Sequence, residues 1–184
     1  ATSLSDPDRA FTDVTWTVTK GEIHGIYGLV GAGQSALSRA LSGLSPAGEG
    51  TVRLDGEPLT ASSPGQRVRA GWGYVPADRH AQGLFPQMSV GENLGLTALA
   101  RGGPWSWVDP GDERSASEEQ VRELRIKTSG PEQVVAHLSG GNQQKVLLGR
   151  WIRTAPRVLL LEEPTQGVDV GAKREIHRII TALA

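Results

Sequence analysis

Three short stretches, taken in their order, constrain this chain more than any other feature. Gly28-Leu29-Val30-Gly31-Ala32-Gly33-Gln34-Ser35 is a glycine-rich loop that follows a strand-like run. Leu138-Ser139-Gly140-Gly141-Asn142-Gln143-Gln144 is a second glycine turn, and it opens a helix. Val158-Leu159-Leu160-Leu161-Glu162-Glu163-Pro164-Thr165 has the pattern of a buried strand that ends in two carboxylates. Glycine permits close backbone approach and angles that other residues resist. A helix N-terminus offers unbonded N–H groups and the positive end of its dipole. Two phosphate-facing turns and an acidic strand end are the parts of a nucleotide-driven machine.

The remaining pattern is α/β. Asp13 to Val18 alternates as a half-buried strand, and Glu22 to Tyr27 reads as a buried strand running into the first loop. A helix is predicted after Gln34, with Leu37, Leu41 and Leu44 on one face. Thr51 to Asp55 reads as a strand closed by Asp55-Gly56, Gln66 to Arg69 as a short helix and Gly73 to Pro76 as a strand end. Ser89-Val90-Gly91-Glu92 is a capping box for a helix to about Ala100. Arg101 to Asp112 reads as a loop, and Glu113 to Leu124 as a charged helix with a solvated face. Gly140 to Ile152 is predicted helical, with Leu147, Leu148, Trp151 and Ile152 inward. Gly171 to Leu183 follows, with Ile176, Ile179, Ile180 and Leu183 at helical spacing. Alternating strands and helices argue for an α/β core. We expect 1–88 and 136–184 to form that core, and 89–135, which lacks strand signals, to be a helical subdomain.

Composition excludes several alternatives. The chain has 184 residues, enough for one domain with a core, and its 38% hydrophobic and 21% charged residues are those of an ordinary globular protein. A net charge of −1 gives no global attraction to nucleic acid. There is no cysteine, hence no disulfide, thiolate metal site or cysteine nucleophile. The N-terminal residues lack a secretory pattern, and no apolar run approaches the ~20 residues of a membrane span. Any membrane role must therefore come through a partner. His24, His80, His137 and His177 show no metal-ligand spacing and read as structural or surface residues. Trp105 and Trp107 read equally as loop packing or as contacts to a membrane partner.

The chemistry follows from residue types. Backbone amides of Gly28, Gly31, Ala32, Gly33, Gln34, Ser35 and Ala36 are the candidates for cradling a phosphate chain, and the Ser35 hydroxyl is placed for Mg²⁺. The full pattern wants lysine before Ser35, and Gln34 stands there. An amide still donates to phosphate, but it lacks charge. A hydrogen bond to a charged group is worth about 1.5–3 kcal/mol, and losing transition-state charge stabilisation slows chemistry by about 10²–10³. Binding at this loop is thus expected to survive weakened, with poor hydrolysis. Glu162 is the candidate Mg²⁺ ligand and Glu163 the candidate base for the attacking water. Ser35 and Ser139 have no histidine–acid pairing and are not hydrolase nucleophiles.

These residues resemble the ATP-binding cassette ATPases. Gly28 to Ser35 is similar to their Walker A loop, and Leu138 to Gln144 to their signature. Val158 to Thr165 is similar to Walker B, and Gly167-Val168-Asp169 to the D-loop. The wording LSGGNQQK and EPTQGVDVGAK, with Val75-Pro76-Ala77-Asp78-Arg79, Gly83-Leu84 and Ser89 to Asn93, resembles the second cassette of tandem-cassette ATPases. Those drive bacterial importers of the ribose, galactose and xylose type. The resemblance runs from about Phe11 to the C-terminus and implies a P-loop NTPase core with a small helical subdomain, truncated at both ends. It implies ATP and Mg²⁺ as cofactors and a second cassette, transmembrane permease subunits and, indirectly, a sugar-binding protein as partners. It implies a cytoplasmic, membrane-peripheral location and no nucleic acid. Leu138, Ser139, Gly140, Gly141, Asn142 and Gln143 would contact the nucleotide of the other cassette, and Asp169 would serve the D-loop.

Four departures qualify the resemblance: Gln34 for lysine, Glu162 for aspartate, Ala77 at the Q-loop position, and no clear adenine-stacking aromatic upstream of Phe11. The family's switch histidine would lie beyond Ala184. An intact signature beside a weakened loop implies asymmetry, with Ser139, Gly140 and Gly141 completing the competent site of the first cassette. A non-catalytic interaction module remains open. A chromosome-organising cassette is disfavoured by the short span between Ser35 and Leu138, which has no heptads. A translation-factor cassette is disfavoured by the net charge.

Overall fold

A computed structural model describes residues 10–46, 49–59, 63–102 and 109–184, with side chains at 98–102 left aside. The first eight residues, Trp105 and Trp107 lie outside these. The chain divides into two compact units, Ala1–Trp72 with Leu183–Ala184, and Gly73–Ala182.

In the first unit, α1 spans Gln34–Leu41 and buries Leu37, Ala40 and Leu41. It stops where Gly43 adopts φ 72°. The amides of Gly43 and Leu44 then satisfy the Ala40 and Arg39 carbonyls, the left-handed stop that glycine permits. Leu44, expected on the buried face, lies past this stop and is 41% exposed. Strands β1 (Arg53–Leu54) and β2 (Glu57–Pro58) form an antiparallel hairpin. Its two-residue turn is Asp55-Gly56, both at positive φ, the pair that matches strand twist. Helix α2 (Pro64–Arg69) starts at a reciprocal capping box between Ser63 and Gln66.

The two strands expected upstream are absent as strands. Asp13 to Val18 carries a single-residue bridge at Val14, and Glu22 to Tyr27 none. Ile23, Ile26 and Tyr27 are exposed. Alternating and β-branched residues favour extended backbone, but a strand exists only where a neighbour takes its N–H and C=O groups. Among the described residues no neighbouring strand pairs with 22–27.

The second unit holds the apolar core. Strands β3 (Trp72–Val75) and β4 (Val158–Leu161) are hydrogen-bonded neighbours. A single π-helical turn covers Arg79–Gly83. The helices are α3 (Val90–Gly102), α4 (Pro110–Glu123), α5 (Gly140–Ile152) and α6 (Val170–Leu183). The reading of 101–112 as a loop gives way to helix at both ends, because Asp109 caps α4 and Pro110 fits its first position. Val75, Leu84, Val90, Leu94, Leu124, Val135, Leu138, Val146, Leu147, Leu148 and Ile176 form the centre of the core. Trp151, Ile152, Ile179 and Ile180 pack against it only half-buried, and Leu183 is 44% exposed.

Helix α5 is the hub. Gly149 lets α3 and α4 approach, since a Cβ there would lie 2.7 Å from Leu124 and 2.9 Å from Leu94. Polar residues of α5 are buried as well. Arg150 donates to the carbonyls of Asn93 and Gly83 and to Asn93 Oδ1, and burial pulls its guanidinium down to about 10. Lys145 is 2% exposed and pairs with Glu175 at 2.6 Å. The charged face of α4 is only partly solvated. Glu113 pairs with Arg153, and the buried Gln120 donates to the Gly149 carbonyl.

Candidate functional site

In the first unit, the loop before α1 turns through Gly31 at φ 84° and Gly33 at φ 94°. The Ala32 amide closes a turn on the Leu29 carbonyl, and the Leu37 amide begins the helix on that of Gly33. Gly33 is required twice, since a Cβ there would strike the Ala10 carbonyl. Gln34 folds back over the loop. Its Nε2 donates to the Leu29 carbonyl at 3.4 Å and lies against Gly28 where a Cβ would sit. Ser35 is exposed.

In the second unit, Ser139 precedes α5 without capping it. Its Oγ accepts from Asn142 Nδ2 at 2.8 Å, and Asn142 Oδ1 accepts from the Lys127 amide at 2.9 Å. Ser139 is exposed and Gly140 half-buried. Leu138 lies in the core. Gln143 is buried and donates to the Val135 carbonyl. Gly141 is also buried, and a Cβ on it would overlap Ala172. Of the predicted signature residues, Ser139, Gly140 and Asn142 therefore sit outward, while Leu138, Gly141 and Gln143 anchor the turn.

The helix starts fall into two groups. Ser63 caps α2, Ser89 caps α3 with Glu92 answering, Asp109 caps α4, and Asp169 caps α6 through the Ala172 amide. Helices α1 and α5 have no side-chain cap. Their first N–H groups are left for another acceptor, and these are the two helices that the glycine motifs open.

At the acidic end, the Glu162 amide donates to the Val75 carbonyl at 2.9 Å. The Tyr74 hydroxyl donates to Glu162 Oε2 at 2.5 Å. No other hydrogen bond to the Glu162 carboxylate occurs among the described residues. Glu163 is exposed, with its backbone at φ 45°, a left-handed strain of the kind that gathers at working sites. The Gln166 amide closes the following turn on the Glu163 carbonyl. Backbone N–H groups, that of Ala172 first, hold the Asp169 carboxyl below its usual range. Ala77 stands at the Q-loop position, and the neighbouring Asp78 caps the π turn, held low by the Ala81 amide.

Two residues here were not read from sequence as site residues, Tyr74 and Arg79. Both lie in the stretch around Val75 to Arg79 that carries subfamily resemblance, but nothing in its spacing shows a partner 88 residues away.

Glycine loop, uncapped helix starts and acidic strand end define the class of P-loop NTPase cassettes, and the solved structures agree on the fold. An ATP-binding cassette of an ABC transporter, MJ1267, superposes with TM-score 0.82 at 24% identity, covering 99% of this chain and 75% of that one. The cassette MJ0796 in a post-hydrolysis dimer with ADP and Pi gives 0.79 at 21%, covering 97% and 78%. The ABC transporter family model matches residues 11–166, and the chain belongs to that family. It is 47% identical to the ribose import ATP-binding protein RbsA 2 of Streptomyces avermitilis, over 96% of this chain and 35% of the relative. It is 48% identical to the arabinose import ATP-binding protein AraG of Pseudomonas syringae pv. syringae, over 93% of this chain and 34% of the relative. The chain thus spans about a third of the length of these relatives.

Proposed function

We propose that this chain is an ATP-binding cassette of a monosaccharide importer, the second of two cassettes in one polypeptide. In this reading its own loop holds nucleotide weakly, and its signature turn completes the site of the first cassette. The observation that carries it is the pair of uncapped helix starts at α1 and α5, in a chain otherwise careful to cap its helices. The resemblance to ribose and arabinose import proteins supports the substrate class.

The residues fit ATP and Mg²⁺. Backbone amides at the start of α1 suit a phosphate chain. The Ser35 hydroxyl and the Glu162 carboxylate are hard oxygen ligands of the kind Mg²⁺ takes. The metal would supply charge neutralisation at the phosphates. Glu163 would orient or deprotonate the attacking water, and Gln34 would donate one neutral hydrogen bond where lysine would bring charge. Ser139, Gly140 and Asn142 would face the phosphates held by the first cassette, while Leu138, Gly141 and Gln143 keep the turn in place. Residues 89–135 would be the helical subdomain, and the partners would be transmembrane permease subunits and, indirectly, a sugar-binding protein. The complex would sit at the cytoplasmic face of the membrane.

The test is nucleotide affinity with and without Mg²⁺ in the complete polypeptide, for wild type and Gln34→Lys. Measurable wild-type binding that tightens on substitution supports the reading, and no binding by either protein sinks it. One observation favours a second reading, a non-hydrolytic nucleotide-binding module: Gln34 already donates to its own loop at Leu29. ATP turnover that is unchanged when Ser139 is altered would select it.

A further inference from the structure

Arg79 makes contacts that the proposed chemistry does not use. Its Nη1 donates to the Gln166 carbonyl at 2.7 Å and its Nη2 to the Gly167 carbonyl at 3.2 Å. Its Nε reaches Gln143 Oε1 at 3.5 Å. One planar fork thus holds the turn after β4 and also touches the signature helix. The fit at the helix start is close. A Cβ on Gly140 would lie 2.8 Å from Arg79 Nη2 and 3.0 Å from the Gly167 carbonyl. Gly167 itself sits at φ 64°. The Arg79 backbone is fixed in turn by Asp78, whose Oδ1 accepts the His80 and Ala81 amides at 3.0 Å.

We propose that Arg79 is a positioning residue that locks the D-loop turn, Gln166 to Asp169, to the signature helix start, Gly140 to Gln143. The two surfaces that a second cassette would meet then move as one piece. The inference rests on the proposed function for its consequence, but the lock itself is a property of this unit. Guanidinium suits the task, because its rigid fork spans two adjacent carbonyls where an ammonium is a single point charge. Arg79 acts through the elements it holds, on the nucleotide site of the first cassette.

The experiment compares wild type, Arg79→Ala and Arg79→Lys in the complete polypeptide. Two readouts are taken, amide hydrogen exchange at 140–143 and 166–169, and ATP turnover against ATP concentration. Thr97→Val, which loses the buried bond from Thr97 Oγ1 to the Arg150 carbonyl near the far end of α5, serves as a destabilised control that touches neither 140–143 nor 166–169. Arg79→Ala is expected to speed exchange in both segments together and to lower kcat/KM by about 10-fold or more, the scale of a misplaced contact group. Arg79→Lys should recover part of each effect. Exchange that rises in only one segment, or in neither, overturns the lock. A turnover loss no larger than in Thr97→Val at matched Tm overturns its consequence for the first cassette's site. If the wild type turns over no ATP, the functional reading fails instead, and the exchange readout still decides the lock.

Discussion

The Tyr74 hydroxyl donates to Glu162 Oε2 across 2.5 Å, joining the penultimate residue of β3 to the first carboxylate after β4. The Glu162 amide bonds back to Val75, so backbone and side chain of Glu162 are both fixed from the neighbouring strand. A glutamate carries one more rotatable bond than an aspartate, and Tyr74 removes that freedom. Tyr74→Phe is therefore expected to weaken the Mg²⁺-dependent part of nucleotide affinity several-fold while leaving the Mg²⁺-free part unchanged. Calorimetric titration with and without Mg²⁺ checks it.

Gln34→Lys adds a positive charge at the glycine loop. It should tighten nucleotide binding by about 10-fold or more, from the difference between a neutral and a charge-assisted bond. The lysine must also abandon the bond that Gln34 makes to Leu29. Affinity equal to wild type in a direct binding assay would count against a phosphate at this loop.

Gly141→Ala places a methyl group into Ala172 of α6. Overpacking of this kind costs about 1–3 kcal/mol, so Tm should fall even without nucleotide. An alanine tolerated with unchanged Tm would show that α5 and α6 pack less closely than described.

Arg150→Met removes the donors that serve Asn93 and Gly83. Methionine fills much of the volume but leaves the Gly83 carbonyl without its guanidinium donor, a loss worth about 1–3 kcal/mol, while Asn93 Oδ1 keeps the Phe85 amide. We expect a loss of about 1–3 kcal/mol, the scale for an interior acceptor left unsatisfied. Chemical denaturation measures it, and a loss below 1 kcal/mol would mean that water replaces the guanidinium.

Glu175 is held below the ordinary glutamate value of 4.5, first by its hydrogen bond from Lys145 and then by that residue's charge. A depressed carboxyl contributes stability that is present above its unfolded pKa and lost as pH falls through the folded one. Tm should therefore drop below about pH 4.5 more steeply in wild type than in Glu175→Gln. Asp78, Glu92 and Asp169 are depressed as well, so the comparison between the two proteins carries the test. Parallel acid profiles would exclude a contribution from this pair.

Local signals were legible because local chemistry decides them. Helix α5 runs from Gly140 to Ile152 as its pattern predicts, and Ser89 and Glu92 form the reciprocal cap that their spacing announces. Asp55-Gly56 turns the hairpin. Signals that depend on a partner misled. Glu22 to Tyr27 has strand composition but lies exposed, since extended backbone becomes a strand only beside another. Lys145, Arg150, Gln143 and Gln144 look like solvent-facing residues on a helix, yet all are buried. Gln143, Lys145 and Arg150 are accepted inside because α3, α6, the π turn or a neighbouring segment brings a carbonyl, carboxylate or amide to meet them.

The sequence by itself determined the glycine turns, the order of the glycine-rich and acidic motifs, the Ser89 helix cap and the family, because these rest on residue type and short spacing. Only the tertiary structure decided that Tyr74 holds Glu162, that Arg79 joins the turn after β4 to α5, and that Gly140 and Gly141 are needed for close packing as well as for any ligand. Those facts depend on contacts between residues dozens of positions apart, and such contacts exist only once burial of the common core has brought the elements together.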